Sequence, residues 1–128
     1  MPQKNSAKIL IAEDEEGIRD LLKFELGLKG YSVKTAADGQ EAVDLVTKEK
    51  FDVFLCDIKM PKFDGVYVLK ESKKQNPDTI VLMMTGYGED ATYRDCKRFG
   101  ASGFISKPFH MDEVVAAVEK ALEGTKKK

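Results

Sequence analysis

The sequence predicts an α/β fold, a parallel sheet wound with helices on both faces, and three observations carry that reading. Short β-rich apolar runs recur five times with amphipathic stretches between them. Three of the runs, "ILIA", "VFLC" and "IVLMM", are continuously apolar, as strands buried on both faces of a parallel sheet should be. Glycines at 30, 39, 100 and 103 fall where elements should meet.

The first run, "KILIAE" at 8 to 13, reads as a central strand. After it, Ile18, Leu21, Leu22 and Leu26 follow the i, i+3, i+4, i+8 spacing of one helical face, so this helix should cover the sheet. "YSVKTA" at 31 to 36 alternates, which marks a half-exposed edge strand. "FDVFLC" at 51 to 56 is the next central strand. Asn76-Pro77-Asp78 ends the third helix before "TIVLMM" at 79 to 84, since proline cannot continue a helix. The stretch from Glu89 to Phe99 is the weakest helix, because Ala91, Tyr93, Cys96 and Phe99 make a ragged stripe; it is expected to be loosely held. "GFIS" at 103 to 106 is the fifth strand, and Val114, Val115, Val118, Ala121 and Leu122 form the buried face of a last helix.

At 128 residues the chain fits a single domain, expected to span 1–128 with its core at about 7–123, a short polar N-terminal end and a Lys-rich tail. Twenty-one basic residues against 22 acidic ones give a net charge of -1, which argues against a surface built to neutralise nucleic-acid phosphates. Lys126, Lys127 and Lys128 read as a solvated end. No apolar run approaches the roughly 20 residues of a membrane span, and the N-terminus lacks the pattern of a signal peptide. The expected location is cytoplasmic. Cys56 and Cys96 have no partners at metal-ligand spacing, so both are expected to be buried, reduced thiols.

In an open parallel sheet, ligands bind outside the carboxyl ends of the strands, where strand order reverses. Glu13 and Asp14 follow the first strand, Asp57 the third, Thr85 the fourth and Lys107 the fifth. Crowded carboxylates repel one another and are pushed toward protonation unless a cation enters. Oxygen-only ligands favour Mg²⁺, with Mn²⁺ as a substitute. Asp57 can act as a nucleophile toward phosphorus, and a metal ion, an ammonium and a hydroxyl are the groups that stabilise a transferring phosphoryl. Taken singly, these residues have plainer readings: Asp57 or Thr85 as caps, "EDEE" as the acidic first turn of a helix, Lys107 as a surface lysine. Together, at the ends of four strands, they point to a site.

These residues resemble the receiver domain of bacterial two-component response regulators. The likeness covers about residues 7 to 123 and rests on "IAEDEE", "DIKMPKFDG", "MMTGYG" and "GASGFISKPF", in that family's order and spacing. The resemblance implies a flavodoxin-like (βα)5 doubly wound sheet of strand order 2-1-3-4-5. It implies Asp57 as phospho-acceptor, Asp14 as the direct Mg²⁺ ligand, Glu13 as a ligand acting through water, and the backbone carbonyl of Lys59 as a further ligand. Thr85 matches the switch hydroxyl, Lys107 the lysine that pairs with the phosphoryl group, and Phe104 the switch aromatic. Lys107-Pro108 matches a bond the family often holds in the cis form. Glu13 stands where an aspartate is commoner, and Gly86 where a small residue, often alanine, is usual.

The function implied is that of a phospho-accepting switch that catalyses only its own phosphorylation and dephosphorylation. The phosphoryl group is expected from a sensor histidine kinase or histidine phosphotransfer protein, and His110, the one histidine, is expected near the start of the last helix instead of acting as donor. The fourth helix, fifth strand and fifth helix are the expected output face, with a phosphorylation-dependent dimer as one use of it. Lys59 and Tyr87, each two residues past a site residue, are positioned in sequence to tune phosphoryl lifetime. A haloacid-dehalogenase-like phosphatase is the enzyme alternative, but that class has a second aspartate two residues after its nucleophile, where this chain has Lys59. A pseudo-receiver that docks proteins without phosphorylation is the other. A dinucleotide-binding domain is disfavoured because "AEDEEG" contains no Gly-rich loop.

Overall fold

The structure, a computed structural model, describes residues 7–60, 62, 64–86 and 90–126, with the main chain alone at 90–92 and 124–126. Strands and helices alternate: β1 (Lys8–Ala12), α1 (Glu16–Leu28), β2 (Ser32–Ala36), α2 (Gly39–Lys48), β3 (Val53–Asp57), α3 (Gly65–Gln75), β4 (Ile80–Thr85), α4 (Asp90–Arg98), β5 (Gly103–Ser106) and α5 (Met111–Lys126). The strands form one parallel sheet in the order β2-β1-β3-β4-β5. The chain winds outward from β1 to β2, then crosses back to β3, so the carboxyl ends of β1 and β3 flank the point where strand order reverses.

Strand periodicity divides the core in two, because successive side chains point to opposite faces. Ile9 and Ile11 join Leu22 and Leu26 of α1 and Val114 and Val118 of α5 on one face. Leu10 and Ala12 join Ala42 and Val46 of α2, Val68 and Leu69 of α3 and Cys96 of α4 on the other. Every residue of β3 is buried, which accounts for its unbroken apolar run. The alternating β2 lies at an edge, with Ser32 and Lys34 exposed. Cys56 and Cys96 are free and buried; burial pushes the Cys56 thiol well above its ordinary value and that of Cys96 up to about 11, so both stay protonated at neutral pH. No helix of the described residues is long and apolar enough to cross a membrane.

Some boundaries differ from those read in the sequence. β3 starts at Val53, not at residue 51; Asp52 just before it is bonded to both neighbouring strands, its N–H to the Lys8 carbonyl at 2.8 Å, its carbonyl to the Ile80 N–H at 3.0 Å and its carboxylate to the Lys8 N–H at 2.8 Å. At its other end β3 includes Asp57, and β4 likewise includes Thr85. Leu21 is 45% exposed, whereas the sequence placed it on the covering face of α1. A helix laid on a sheet buries only a limited arc, and Leu22 and Leu26 fill it. α4 is the sparsely packed element that its ragged stripe implied: among its described side chains, residues 93–98, only Cys96 is buried.

The turn after β3 is fixed by a close backbone approach. Gly65 donates its N–H to the Ile58 carbonyl at 2.6 Å, and the Asp64 carboxylate caps α3 by accepting the Tyr67 N–H at 3.0 Å. A Cβ at Gly65 would lie 2.3 Å from the Asp57 carbonyl oxygen and 2.6 Å from Ile58 Cα, so only glycine fits while the end of β3 stays in place. Gly65→Ala should therefore cost about 2–3 kcal/mol of stability, the upper range for overpacking, read from the urea denaturation midpoint; a variant as stable as the parent would contradict this contact.

Candidate functional site

The sheet register assembles the site. Asp57 pairs with Met84 and Thr85 pairs with Ser106, so β3, β4 and β5 end at neighbouring points. Lys107 follows β5 and donates its N–H to the Thr85 carbonyl at 2.8 Å. Glu13 follows β1, and its N–H donates to the Ala36 carbonyl at 3.1 Å, continuing the ladder for one residue. That bond leaves the Glu13 side chain fully buried, while Asp14, one residue on, is exposed.

Lys107 Nζ lies 2.8 Å from Asp57 Oδ2 and 2.8 Å from Glu13 Oε1. Toward Asp57 the ammonium makes an aligned hydrogen bond. Toward Glu13 it makes a charge contact without that alignment, which leaves Oε1 buried and without a hydrogen-bond partner. Glu13 Oε2 accepts the Glu15 N–H at 3.1 Å, and Asp57 Oδ1 accepts the Lys59 N–H at 3.3 Å. One carboxylate oxygen each from Glu13, Asp14 and Asp57 lie within 4.8 Å of one another.

This crowding shows in the protonation equilibria. Burial, reinforced by the Asp57 charge, raises the pKa of Glu13 despite the opposing Lys107 contact. Burial alone would lower that of Lys107, but the close contacts with the Asp57 and Glu13 carboxylates outweigh it, and its pKa is raised. Lys107 is therefore a fixed cation at neutral pH. Three carboxylates, one with a buried oxygen lacking a hydrogen bond, make a donor set that fits a hard divalent cation.

A cavity of about 660 Å³ opens over the cluster. Asp14, Asp57, Lys59, Thr85 and Lys107 line its polar side, and Ile18, Leu21, Pro108, Phe109 and Met111 form an apolar wall. The site residues read from the sequence thus converge, with two qualifications: the Thr85 hydroxyl donates to the Gly86 carbonyl at 2.8 Å, and Tyr87 lies outside the described residues. Lys107-Pro108 is cis. Exposed His110 immediately precedes α5, its N–H bonded to Glu113 Oε1 at 2.9 Å. Phe104 is half-buried on β5 against the core.

Sequence reasoning missed the apolar wall, because Ile18 and Leu21 satisfy a core-facing pattern. It also missed Arg19, whose guanidinium donates to the Glu13 carbonyl at 2.9 Å. The available signal was a single cation one turn into an acid-rich helix start.

The chain has relatives among known proteins in both sequence and structure. The profile of the response regulator receiver domain matches residues 9–119. Sporulation initiation phosphotransferase F of Bacillus subtilis (strain 168) is 43% identical over 115 residues, which cover 90% of this chain and 93% of that protein. Regulatory protein AtoC of Escherichia coli (strain K12) is 37% identical, but the likeness covers 91% of this chain and only 25% of AtoC. Among solved structures, a response regulator receiver domain protein (CheY-like) from Methanospirillum hungatei JF-1 superposes with a TM-score of 0.91 at 30% identity, covering 97% of this chain and 100% of that one. With its five-stranded parallel sheet of order 2-1-3-4-5 and an acidic pocket at the carboxyl edge, the chain belongs to the response regulator receiver domain family.

Proposed function

We propose that Asp57 accepts a phosphoryl group from the phosphohistidine of a sensor histidine kinase or histidine phosphotransfer protein. The observation that carries this reading is Lys107 held 2.8 Å from Asp57 in a pocket of three carboxylates. An Asp57 oxygen attacks phosphorus, the donor's N–P bond breaks with its electron pair returning to the imidazole, and an acyl phosphate forms. Lys107 is placed to pair with phosphoryl oxygens as their charge spreads, and the Thr85 hydroxyl becomes a second donor once released from the Gly86 carbonyl. Hydrolysis by water at phosphorus returns the carboxylate, so the chain catalyses its own modification and its removal without being a turnover enzyme.

Asp14, Asp57 and the Lys59 backbone carbonyl would hold Mg²⁺, or Mn²⁺ in its place, with Glu13 acting through water. Bound there, the ion offsets the carboxylate repulsion and supplies charge stabilisation to the phosphoryl oxygens. The apolar wall of Ile18, Leu21, Pro108, Phe109 and Met111 offers a protein donor a seat beside Asp57. Once formed, the phosphoryl group draws in Thr85 and Lys107, Phe104 responds as the switch aromatic, and the face made by α4, β5 and α5 changes its fit for a downstream protein or a second copy of the chain.

Incubation with acetyl phosphate and Mg²⁺ should add the mass of one phosphoryl group to the parent protein, and none to Asp57→Asn or to protein in excess chelator. Continuous phosphate release with no adduct held on the protein would identify a phosphatase instead, and neither adduct nor release a phosphorylation-independent docking module.

Lys59 and Tyr87 are assigned to tuning the lifetime of the acyl phosphate. Tyr87→Ala should shorten the lifetime measured with Mg²⁺ present; an unchanged or longer one would remove Tyr87 from that role.

The raised pKa of Glu13 sets a pH test in metal-free protein. Glu13 holds its proton more tightly folded than unfolded, so the stability from that proton is full below the ordinary value of 4.5 and lost as pH rises through the raised value. Glu13→Gln should therefore be more stable than the parent at neutral pH, with the advantage shrinking as pH falls toward 4.5. Urea titrations at a series of pH values read this, and Mg²⁺ should narrow the neutral-pH difference by stabilising the parent more.

A further inference from the structure

Tyr93 and Phe104 join two elements that the sequence left unconnected. The Tyr93 ring, on α4, stacks on the Phe104 ring, on β5, with centroids 4.0 Å apart and planes 30° from parallel. Tyr93 is 44% exposed, so burial in the core does not explain its position; Phe104 provides the contact. The attachment matters because α4 has few others. Among its described side chains only Cys96 is buried, and Phe99, just beyond the helix, packs against the core under the Lys70 ammonium, 4.2 Å from its ring centroid.

The stack is also close along the chain to the two strand ends that carry the site. β4 ends in Thr85 ahead of α4, and Phe104 stands three residues before Lys107 on the strand paired with β4. Thr85 and Lys107 are in turn tied by a backbone bond of 2.8 Å. A change in Phe104 is therefore felt by Tyr93, and through it by α4.

We infer that Tyr93 is a positioning residue of the switch: its ring clamps Phe104 and holds α4 against β5 in the unmodified arrangement. This rests on the reading of Asp57 as phospho-acceptor and Phe104 as switch aromatic. The stack occurs together with the Thr85 hydroxyl bonded to the Gly86 carbonyl, the arrangement from which that hydroxyl must be released to reach a phosphoryl group, so the stack is assigned to the unmodified state. Phosphorylation must break or reshape it, and any mutation that removes the ring lowers the cost of modification. The phenol oxygen has no part in a ring stack, so phenylalanine should serve as well as tyrosine.

The test is a titration with beryllofluoride in excess Mg²⁺, followed by ¹⁹F NMR, on the parent, Tyr93→Ala, Tyr93→Phe and Asp57→Asn. An aromatic pair of this kind predicts that Tyr93→Ala binds beryllofluoride about two- to tenfold more tightly than the parent, while Tyr93→Phe matches the parent. Mg²⁺ affinity without beryllofluoride should be the same in the parent and the two Tyr93 variants. Tyr93 is largely at the surface, so alanine there leaves the core intact, and a purely structural role would lower the melting temperature without moving the affinity. Equal or weaker binding by Tyr93→Ala, or a shift of the same size in Tyr93→Phe, overturns the clamp while leaving the acceptor reading in place. No binding by the parent, or full binding by Asp57→Asn, overturns the acceptor reading and this inference with it.

Discussion

The site depends on one cation placed among carboxylates that would otherwise repel. The sheet brings Glu13, Asp14 and Asp57 to one edge, and Lys107 answers two of them at 2.8 Å each. Its position is set by backbone as well as charge, since its N–H is bonded to the end of β4. The acidic partner is equally constrained: Asp57 ends a strand buried along its whole length, and the turn that follows is pressed against it by Gly65. Precise placement of one carboxylate thus draws on the most buried part of the fold, the arrangement that positions a reacting group with little reorganisation.

The same constraint leaves the site chemically incomplete. Lys107 compensates Asp57 with an aligned hydrogen bond but meets Glu13 without one, and Glu13 remains harder to ionise than an ordinary glutamate. Full pairing of all three acids by protein groups would stabilise the apo fold more, yet would compete with any incoming cation or phosphoryl group. Partial compensation keeps the edge both stable enough to fold and able to gain from binding.

Much of this was legible in the sequence, for physical reasons that differ by residue. The continuous runs of β1, β3 and β4 announce strands buried on both faces; Asp57 and Thr85 stand out because each ends such a run, and Lys107 because it follows the shorter fifth strand. Glu13 and Asp14 look equivalent in sequence, but the bond from Glu13 to the Ala36 carbonyl carries the ladder one residue further and buries one acid while exposing the next. No local pattern encodes that difference. Leu21 misleads for a similar reason: its spacing fits the buried arc of α1, and only the width of the contact decides that it faces the cavity. Near the start of β3, Asp52 binds the Lys8 N–H from 44 positions away, a contact that no window along the chain contains.

The weakness of α4 was legible too, and the proposed switch gives it a use. An element that moves in response to a local event must be held by less free energy than the event supplies. A new phosphoryl group can gain charge-assisted hydrogen bonds worth about 1.5–3 kcal/mol each, whereas an aromatic pair contributes about 0.5–1.5 kcal/mol beyond its buried area. α1 and α5 each bury two or more large aliphatic side chains in the sheet, attachments of about 1.5–3 kcal/mol per side chain, so both are held more firmly than α4. With Cys96 buried and Tyr93 resting on Phe104, α4 is held by interactions of the size that modification at Asp57 can outweigh. A ragged apolar stripe is therefore what the proposed switch requires of α4, and a fully amphipathic helix at that position would hold it in a single state.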